Sequence, residues 1–359
     1  MSHTSQYPWM QRLDLEHPII QAPMAGTATP ALAAAASNAG ALGSLGLGAS
    51  NLQQARELVE QTQAATERAF NANLFCHREP VADARREAGW LARLAPEFAR
   101  FGAAPPAALR SPYVSAVGNA PLQELLLELR PAVVSFHFGL PESRWIARLR
   151  AAGIVTMATA TSLDEARRIE QAGIDVIVAQ GMEAGGHRGC FEPAQDELLG
   201  TFALVQILAR HARLPIVAAG GIMDGNAIAA ALRLGACAAQ LGTAFILCPE
   251  SAASAAYRAD LQGPAAFHTG ITSAISGRPA RGIAKRLHAL GRAYGNEGGT
   301  LPDYPIAYDA GKALHQAASA QGSHDYAAHW AGQGAPLARA MPARELVQLL
   351  ARERAQAGN

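Results

Sequence analysis

The chain has 359 residues, of which half are hydrophobic and 16% charged. That is the balance of a well-buried globular protein, not of a disordered or solvating one. Thirty basic against 29 acidic side chains leave a formal net charge of +1, which excludes the basic footprint of a nucleic-acid binder.

Eight short apolar runs follow one another along the chain: "PIIQAPM" (18–24), "GALGSLG" (40–46), "FNANLF" (70–75), "VVSFHFG" (133–139), "IVTMATA" (154–160), "DVIVAQG" (175–181), "PIVAAGG" (215–221) and "AAQLGTAF" (238–245). Near-continuous apolar character marks strands covered on both faces, hence a parallel sheet. Helices fill the gaps. Thr29 and Pro30 start one over "ALAAAASNAG", which stops at Gly40, and Ser50–Gln53 and Ser162–Glu165 read as capping boxes. The units "ARLRAAGIVTMATA", "RRIEQAGIDVIVAQ" and "AAALRLGACAAQLG" repeat a helix, a glycine and a strand. Together they predict an α/β fold, a (β/α)8 TIM barrel, with a doubly wound open sheet as the alternative.

Two regions exceed a plain barrel. The insert 76–132 is too long for one crossover helix, and after about residue 262 the strand pattern stops, leaving a Gly/Ser/Arg-rich stretch (270–282) and a helical tail. The predicted organisation is a barrel over 1–262 and a helical substrate-side region over 263–359. Cys76, Cys190, Cys237 and Cys248 form no CxxC or zinc-like spacing, so no metal is expected and the thiols should be reduced. The opening "MSHTSQYPWMQRL" has no signal pattern and no apolar run reaches a membrane span, so a cytoplasmic protein without a membrane partner is expected.

Barrel chemistry sits at the C-terminal strand ends. Alternation along 133–138 turns Ser135 and His137 inward and sends Phe136 and Phe138 towards the helices. Gln180 shares the inward parity of Val176 and Val178. Asn73 and Gln240 are amides in apolar strands, and three amides with a histidine suit a uracil-like or flavin-like ring. Gly220–Gly221 and Gly242–Thr243 fall in the two loops where barrels often hold phosphate. The alternative for His137, which a barrel mouth disfavours, is a hydrogen-bonded core histidine, and His187 could equally be a loop histidine in solvent. Glu183 reads as structural, because a carboxylate there would repel an anion.

The stretches "QAPMAGTATPALAAAASNAGALGSLG", "SFHFGLP", "VAQGMEAGGHRG", "AAGGI" and "QLGTAF" resemble the nitronate monooxygenases, formerly 2-nitropropane dioxygenases, of the class with the "FHFG" histidine. The resemblance implies an FMN barrel, with Ala22, Pro23, Met24, Asn73, Gln180, Gly185, Gly220, Gly221, Gln240, Leu241, Gly242 and Thr243 around the flavin. It implies His137 and His187 for the chemistry. Tyr113, Tyr304, Tyr308 and Lys312 would face the substrate, the last three spaced i, i+4, i+8. Such enzymes use O2 to oxidise small anionic nitronates, among them toxic propionate 3-nitronate, to a carbonyl compound plus nitrite or nitrate. A monomer or homodimer is expected. A cationic His137 would bind the nitro oxygens while the nitronate gives an electron to the flavin and oxygen captures the radical. The alternatives are an NAD(P)H-dependent FMN quinone or enoyl-ACP reductase, a non-catalytic flavin-binding protein, and a flavin-free sugar-phosphate or IMP-type barrel. "HWAGQG" (329–334) resembles a family element without a physical account.

Overall fold

All eight apolar runs become strands of one parallel sheet in the computed structural model, which describes residues 3–357. These are β1 (Ile19–Gln21), β2 (Gly43–Gly46), β3 (Phe70–Phe75), β4 (Val133–His137), β5 (Val155–Ala160) and β6 (Val176–Gln180). Past a two-residue strand outside the sheet, β7 (Gly186–His187), come β8 (Ile216–Ala219) and β9 (Ala238–Leu241). The order β1-β9-β8-β6-β5-β4-β3-β2 closes on itself: Ile20 bridges Leu42, and the Gln21 N–H donates to the Leu42 carbonyl at 2.9 Å. A closed sheet of this order with helices between strands is the (β/α)8 barrel.

Strand alternation builds two apolar layers. Val133, Val155, Met157, Val176, Val178 and Val217 fill the barrel, whose floor is plugged by Trp9 and Met10 of α1 (Pro8–Arg12). Val134, Phe136, Ile177 and Ala218 face outward into the ring of helices. That ring begins with α2 (Pro30–Asn38), where Thr29 accepts from the Leu32 N–H and Pro30 opens the first turn. In α3 (Leu52–Ala65) the capping box is one residue later than expected. Asn51, not Ser50, is the cap, and it exchanges bonds with Gln54. The insert carries α4 (Ala84–Ala99) and α5 (Ala120–Leu129), followed by α6 (Ser143–Ala151) and α7 (Leu163–Gln171). Ser162 caps α7, but the return bond is diverted. The Glu165 carboxylate accepts from Thr161 and from the Phe191 N–H instead of from Ser162. Helices α8 (Thr201–His211) and α9 (Gly225–Arg233) complete the regular units. Gly153, Gly173 and Gly235 take φ of 81°, 82° and 109° at the helix-to-strand turns, a conformation that costs glycine little.

The tail departs from expectation. Strand structure resumes beyond α10 (Ala255–Gln262): β10 (Thr269–Thr272) and β11 (Ala280–Ile283) form an antiparallel pair, and β11 also pairs with β7. The partner needed to make this a sheet lies about 90 residues away, in the loop carrying His187, so local pattern could not reveal it. Next come α11 (Arg286–Asn296) and α12 (Ile306–Ser319). The second of these packs with α4 through Trp90, Leu94, Leu314 and Ala318. The last helix, α13 (Ala343–Ala357), lies on α9 and α2 and buries Leu346, Val347 and Leu350 in the outer core, at the place in the ring that would follow β9.

Phe138 also departs from expectation. β4 ends at His137, and Phe138 takes a φ of 76°, a left-handed backbone that costs a bulky residue roughly 1–3 kcal/mol. Alternation therefore fails at that residue. Its ring does not join Phe136 against Trp145 of α6; it packs among His137, His187 and Tyr304.

Candidate active site

At the C-terminal ends of the barrel strands lies a cavity of about 480 Å³, within the about 300–1,000 Å³ of ligand sites. Every residue named for the site from sequence lines it except Leu241. Gln240 faces in, so the next side chain faces out, and Leu241 sits in the outer core while its carbonyl accepts from the Ala22 N–H at 2.8 Å.

Ser135 and His137 point inward as alternation requires, and the Ser135 hydroxyl accepts from the Asn73 amide at 2.9 Å. His137 Nδ1 lies 2.9 Å from the Thr159 hydroxyl and Nε2 lies 3.2 Å from the His187 carbonyl. A carbonyl only accepts, so Nε2 carries the proton and Nδ1 accepts from Thr159. Burial, with Arg278 and Arg188 adding to it, holds His137 down at about 4 despite the His187 carbonyl bond, so the ring is neutral at pH 7. The cationic His137 expected from sequence is not what the site holds by itself: burial outweighs the one bond that favours protonation, and both ring nitrogens are already bonded.

The loop after β6 is held by its own strand. The Gln180 amide donates to the His187 carbonyl at 3.0 Å and accepts from the Gly189 N–H at 2.7 Å, so its polar atoms bind the loop. Arg188, fully buried, donates to the carbonyls of Gln180 and Gly181 and pairs with Asp196 at 2.7 Å. Glu183 is structural. Its carboxylate accepts from the Thr201 N–H and hydroxyl and so caps α8, whose own flanking residue, Gly200, has no side chain to do so.

His187 is enclosed, not solvent-exposed. Phe138, Tyr304, Tyr308 and Trp330 surround it at ring separations of 5.2–6.3 Å, and burial pushes it down to about 3. Its Nε2 meets the Ser276 hydroxyl at 2.9 Å, while Nδ1 has no partner among the described residues. Ser276 can serve either tautomer. It can accept from Nε2–H while donating to the Arg278 carbonyl, or donate to Nε2 and leave Nδ1–H free for a ligand.

Tyr304 precedes α12 yet lines the cavity with Tyr308, Lys312 and Tyr113. The Lys312 ammonium stands 4.5 Å from the Tyr113 ring and 5.1 Å from that of Tyr308 and forms no ion pair among the described residues. Partial burial lowers its pKa. Burial raises Tyr113 to about 12 and Tyr304 and Tyr308 well above the usual phenol, so all three stay protonated donors. The Tyr304 hydroxyl is buried without a partner.

Opposite chemistry marks the glycine cluster. Gly220 and Gly221 have φ of 117° and 72°, and the N–H groups of Gly221 and Gly242 have no acceptor among the described residues. The 329–334 segment now has a physical account: it straps these loops. Gly332 N–H donates to the Thr243 hydroxyl at 3.0 Å, Gln333 N–H donates to the Glu183 carbonyl at 2.9 Å, and Trp330 bridges Gly282. A Cβ on Gly185 would come within 2.6 Å of the Gly332 nitrogen. Sequence reasoning missed Thr159, Ser276 and Phe138, and flagged Trp330 and Gly332 only as part of the 329–334 segment without a role. Thr159 alone had a signal, sharing the inward parity of Val155 and Met157. Among the described residues, no group of three or more His, Cys, Asp or Glu could hold a metal ion, and no helix is long and apolar enough to cross a membrane.

The fold and the cavity at its strand ends define a TIM-barrel enzyme. The profile of the family described as nitronate monooxygenase matches residues 8–353. The nitronate monooxygenase of Paraburkholderia phytofirmans is 56% identical over 342 residues, 95% of this chain and 93% of that one. Its counterpart from Pseudomonas aeruginosa is 54% identical, covering 95% and 97%. Among solved structures, nitroalkane oxidase from Streptomyces ansochromogenes superposes with a TM-score of 0.88 at 37% identity, covering 97% of this chain and 98% of that one. FabK from Thermotoga maritima gives 0.72 at 27%, covering 96% and 95%. The chain belongs to the nitronate monooxygenase family, and it is an oxidoreductase.

Proposed function

We propose that this cavity binds FMN and oxidises small alkyl nitronates with O2, propionate 3-nitronate being the leading candidate, to a carbonyl compound plus nitrite or nitrate, as a detoxification. Relatives named nitronate monooxygenase at 54–56% identity support the reaction class. The residues fit the cofactor. Open N–H groups at Gly221 and Gly242, beside Gly220, where a Cβ would meet the Thr201 hydroxyl at 2.7 Å, suit a phosphate, while Asn73 and Gln240 suit a ring edge. Ala22, Pro23 and Met24 complete that wall. When bound, the flavin supplies the electron acceptor.

The observation that carries the nitronate reading is one cavity wall that joins His187 to the Tyr304 hydroxyl and the Lys312 ammonium, both unpaired among the described residues, with burial keeping His137 and His187 neutral. Such weak bases are poorly suited to take a carbon-bound proton, so a substrate that arrives already ionised fits them better. His187, by the tautomer that leaves Nδ1–H free, would donate to a nitro oxygen. Tyr304 would donate beside it, and His137 would hold the His187 backbone in place. Lys312 would meet a carboxylate on the substrate's tail. Four buried, unbridged cysteines support a reducing, cytoplasmic setting.

The test is oxygen uptake with propionate 3-nitronate, with and without NADH. Uptake that is independent of NADH is expected. No uptake, together with rapid anaerobic bleaching of the yellow protein by NADH, would replace the reading with an NAD(P)H-dependent reductase on the same barrel.

A further inference from the structure

Behind the aromatic wall lies a cation that the mechanism above does not use. Arg278, on the turn between β10 and β11, is 5% exposed. One Nη donates to the carbonyls of Cys190 and Phe191, Nε has no partner, and the guanidinium forms no ion pair among the described residues. Of the acids whose charge reaches it, Asp196 is committed to Arg188, and Glu192 is exposed. The other titratable groups around it are Cys190, Tyr304, His77, His137 and His187, all of them neutral at pH 7. A buried arginine is ordinarily paired, because an unpaired charge away from water is costly.

The placement gives this charge a use. The guanidinium carbon sits 4.4 Å from the centre of the Phe138 ring, and the same ring packs against His137 at 4.5 Å, Tyr304 at 5.3 Å and His187 at 5.6 Å. One phenyl ring therefore separates the charge from the three groups that line the cavity. The left-handed backbone at Phe138 is what swings that ring into the gap. Through so little water the positive field falls off slowly, and an anion in the cavity is the one charge left to answer it.

We propose that Arg278 is a positioning residue that acts through the Phe138 ring, supplying the positive potential that draws and holds an anion between His137, His187 and Tyr304. It rests on the flavin reading only in that the bound flavin reports the binding. The field complements a nitronate without presenting it an N–H, so the reacting anion is stabilised electrostatically while its hydrogen bonds come from neutral groups.

The test measures the affinity of the yellow holoenzyme for nitrite, a planar anion with the same two oxygens, by the shift it causes in flavin absorbance. Arg278→Met and Arg278→Gln are expected to weaken nitrite at least tenfold and to raise KM for a nitronate more than they lower kcat. Arg278→Lys should stay within threefold of the native enzyme. Native affinity in the neutral variants overturns the proposal. A lysine variant as weak as the glutamine one also overturns it, since the guanidinium's hold on the 190–191 backbone would then be the cause. If neither neutral variant folds, the lysine variant decides alone by the same two limits. A colourless protein would instead sink the flavin reading, a result distinct from a yellow protein with unchanged nitrite affinity.

Discussion

Replacing His137 by asparagine should flatten the acid side of the stability curve. In the folded chain the imidazole is held at about 4, and in the unfolded chain it returns to about 6.5. Between those values the unfolded state binds the extra proton. Stability is therefore complete above pH 6.5 and falls as the pH drops towards 4, by about 1.4 kcal/mol per unit. From pH 6.5 to 4.5 the native residue accounts for a loss of about 2 kcal/mol that the variant does not suffer. At pH 7 the variant should be less stable by about 1–3 kcal/mol, because the bonds to Thr159 and to the His187 carbonyl are broken or imperfectly replaced. The two curves should therefore converge on acidification. Urea unfolding at half-unit intervals from pH 4.5 to 7 measures this. Parallel curves would mean that His137 titrates alike in both states, and the enclosed neutral imidazole would be wrong.

Gly185→Ala drives a methyl group into the backbone of Gly332 and Ala331. A loss of about 1–3 kcal/mol and faster release of flavin on dialysis are expected. Arg188→Met strands Asp196 as a buried, unpaired carboxylate, and the thermal midpoint should register a cost of roughly 3–5 kcal/mol, partly recovered by adding Asp196→Asn. Lys312→Met should raise KM for propionate 3-nitronate about tenfold, the order of one charge-assisted bond, and leave an uncharged-tail nitronate within twofold in steady-state oxygen uptake.

The barrel was legible because its strands obey a two-residue alternation that burial on both faces makes strict. Val133, Ser135 and His137 could be turned inward on paper, and the same rule applied to Gln240 excludes Leu241 from the rim. Legibility ended where the backbone left that periodicity. A single left-handed residue at 138 reversed a side chain that alternation had sent to the helices. The hairpin over 269–283 looked like a Gly/Ser-rich loop, since what makes it a sheet is a two-residue strand far back in the chain. The capping box slipped by one residue because Ser50 with Gln53 and Asn51 with Gln54 offer the same chemistry one step apart. The charge state of the histidines was beyond reach for a different reason. It depends on what encloses them, and Tyr304, Trp330 and Phe138 arrive from three separate parts of the chain.

The position of α13 bears on how the molecule is made. The seam between α2 and α9 gets its cover only from a helix translated roughly 100 residues after β9. At about 5–20 residues per second, a ribosome leaves that greasy slot bare for some 5–20 s. Leu346, Val347 and Leu350 then act as the closing stave of a cask. Nascent chains cut short before residue 343 should accordingly stick to one another or to chaperones, however complete their sheet.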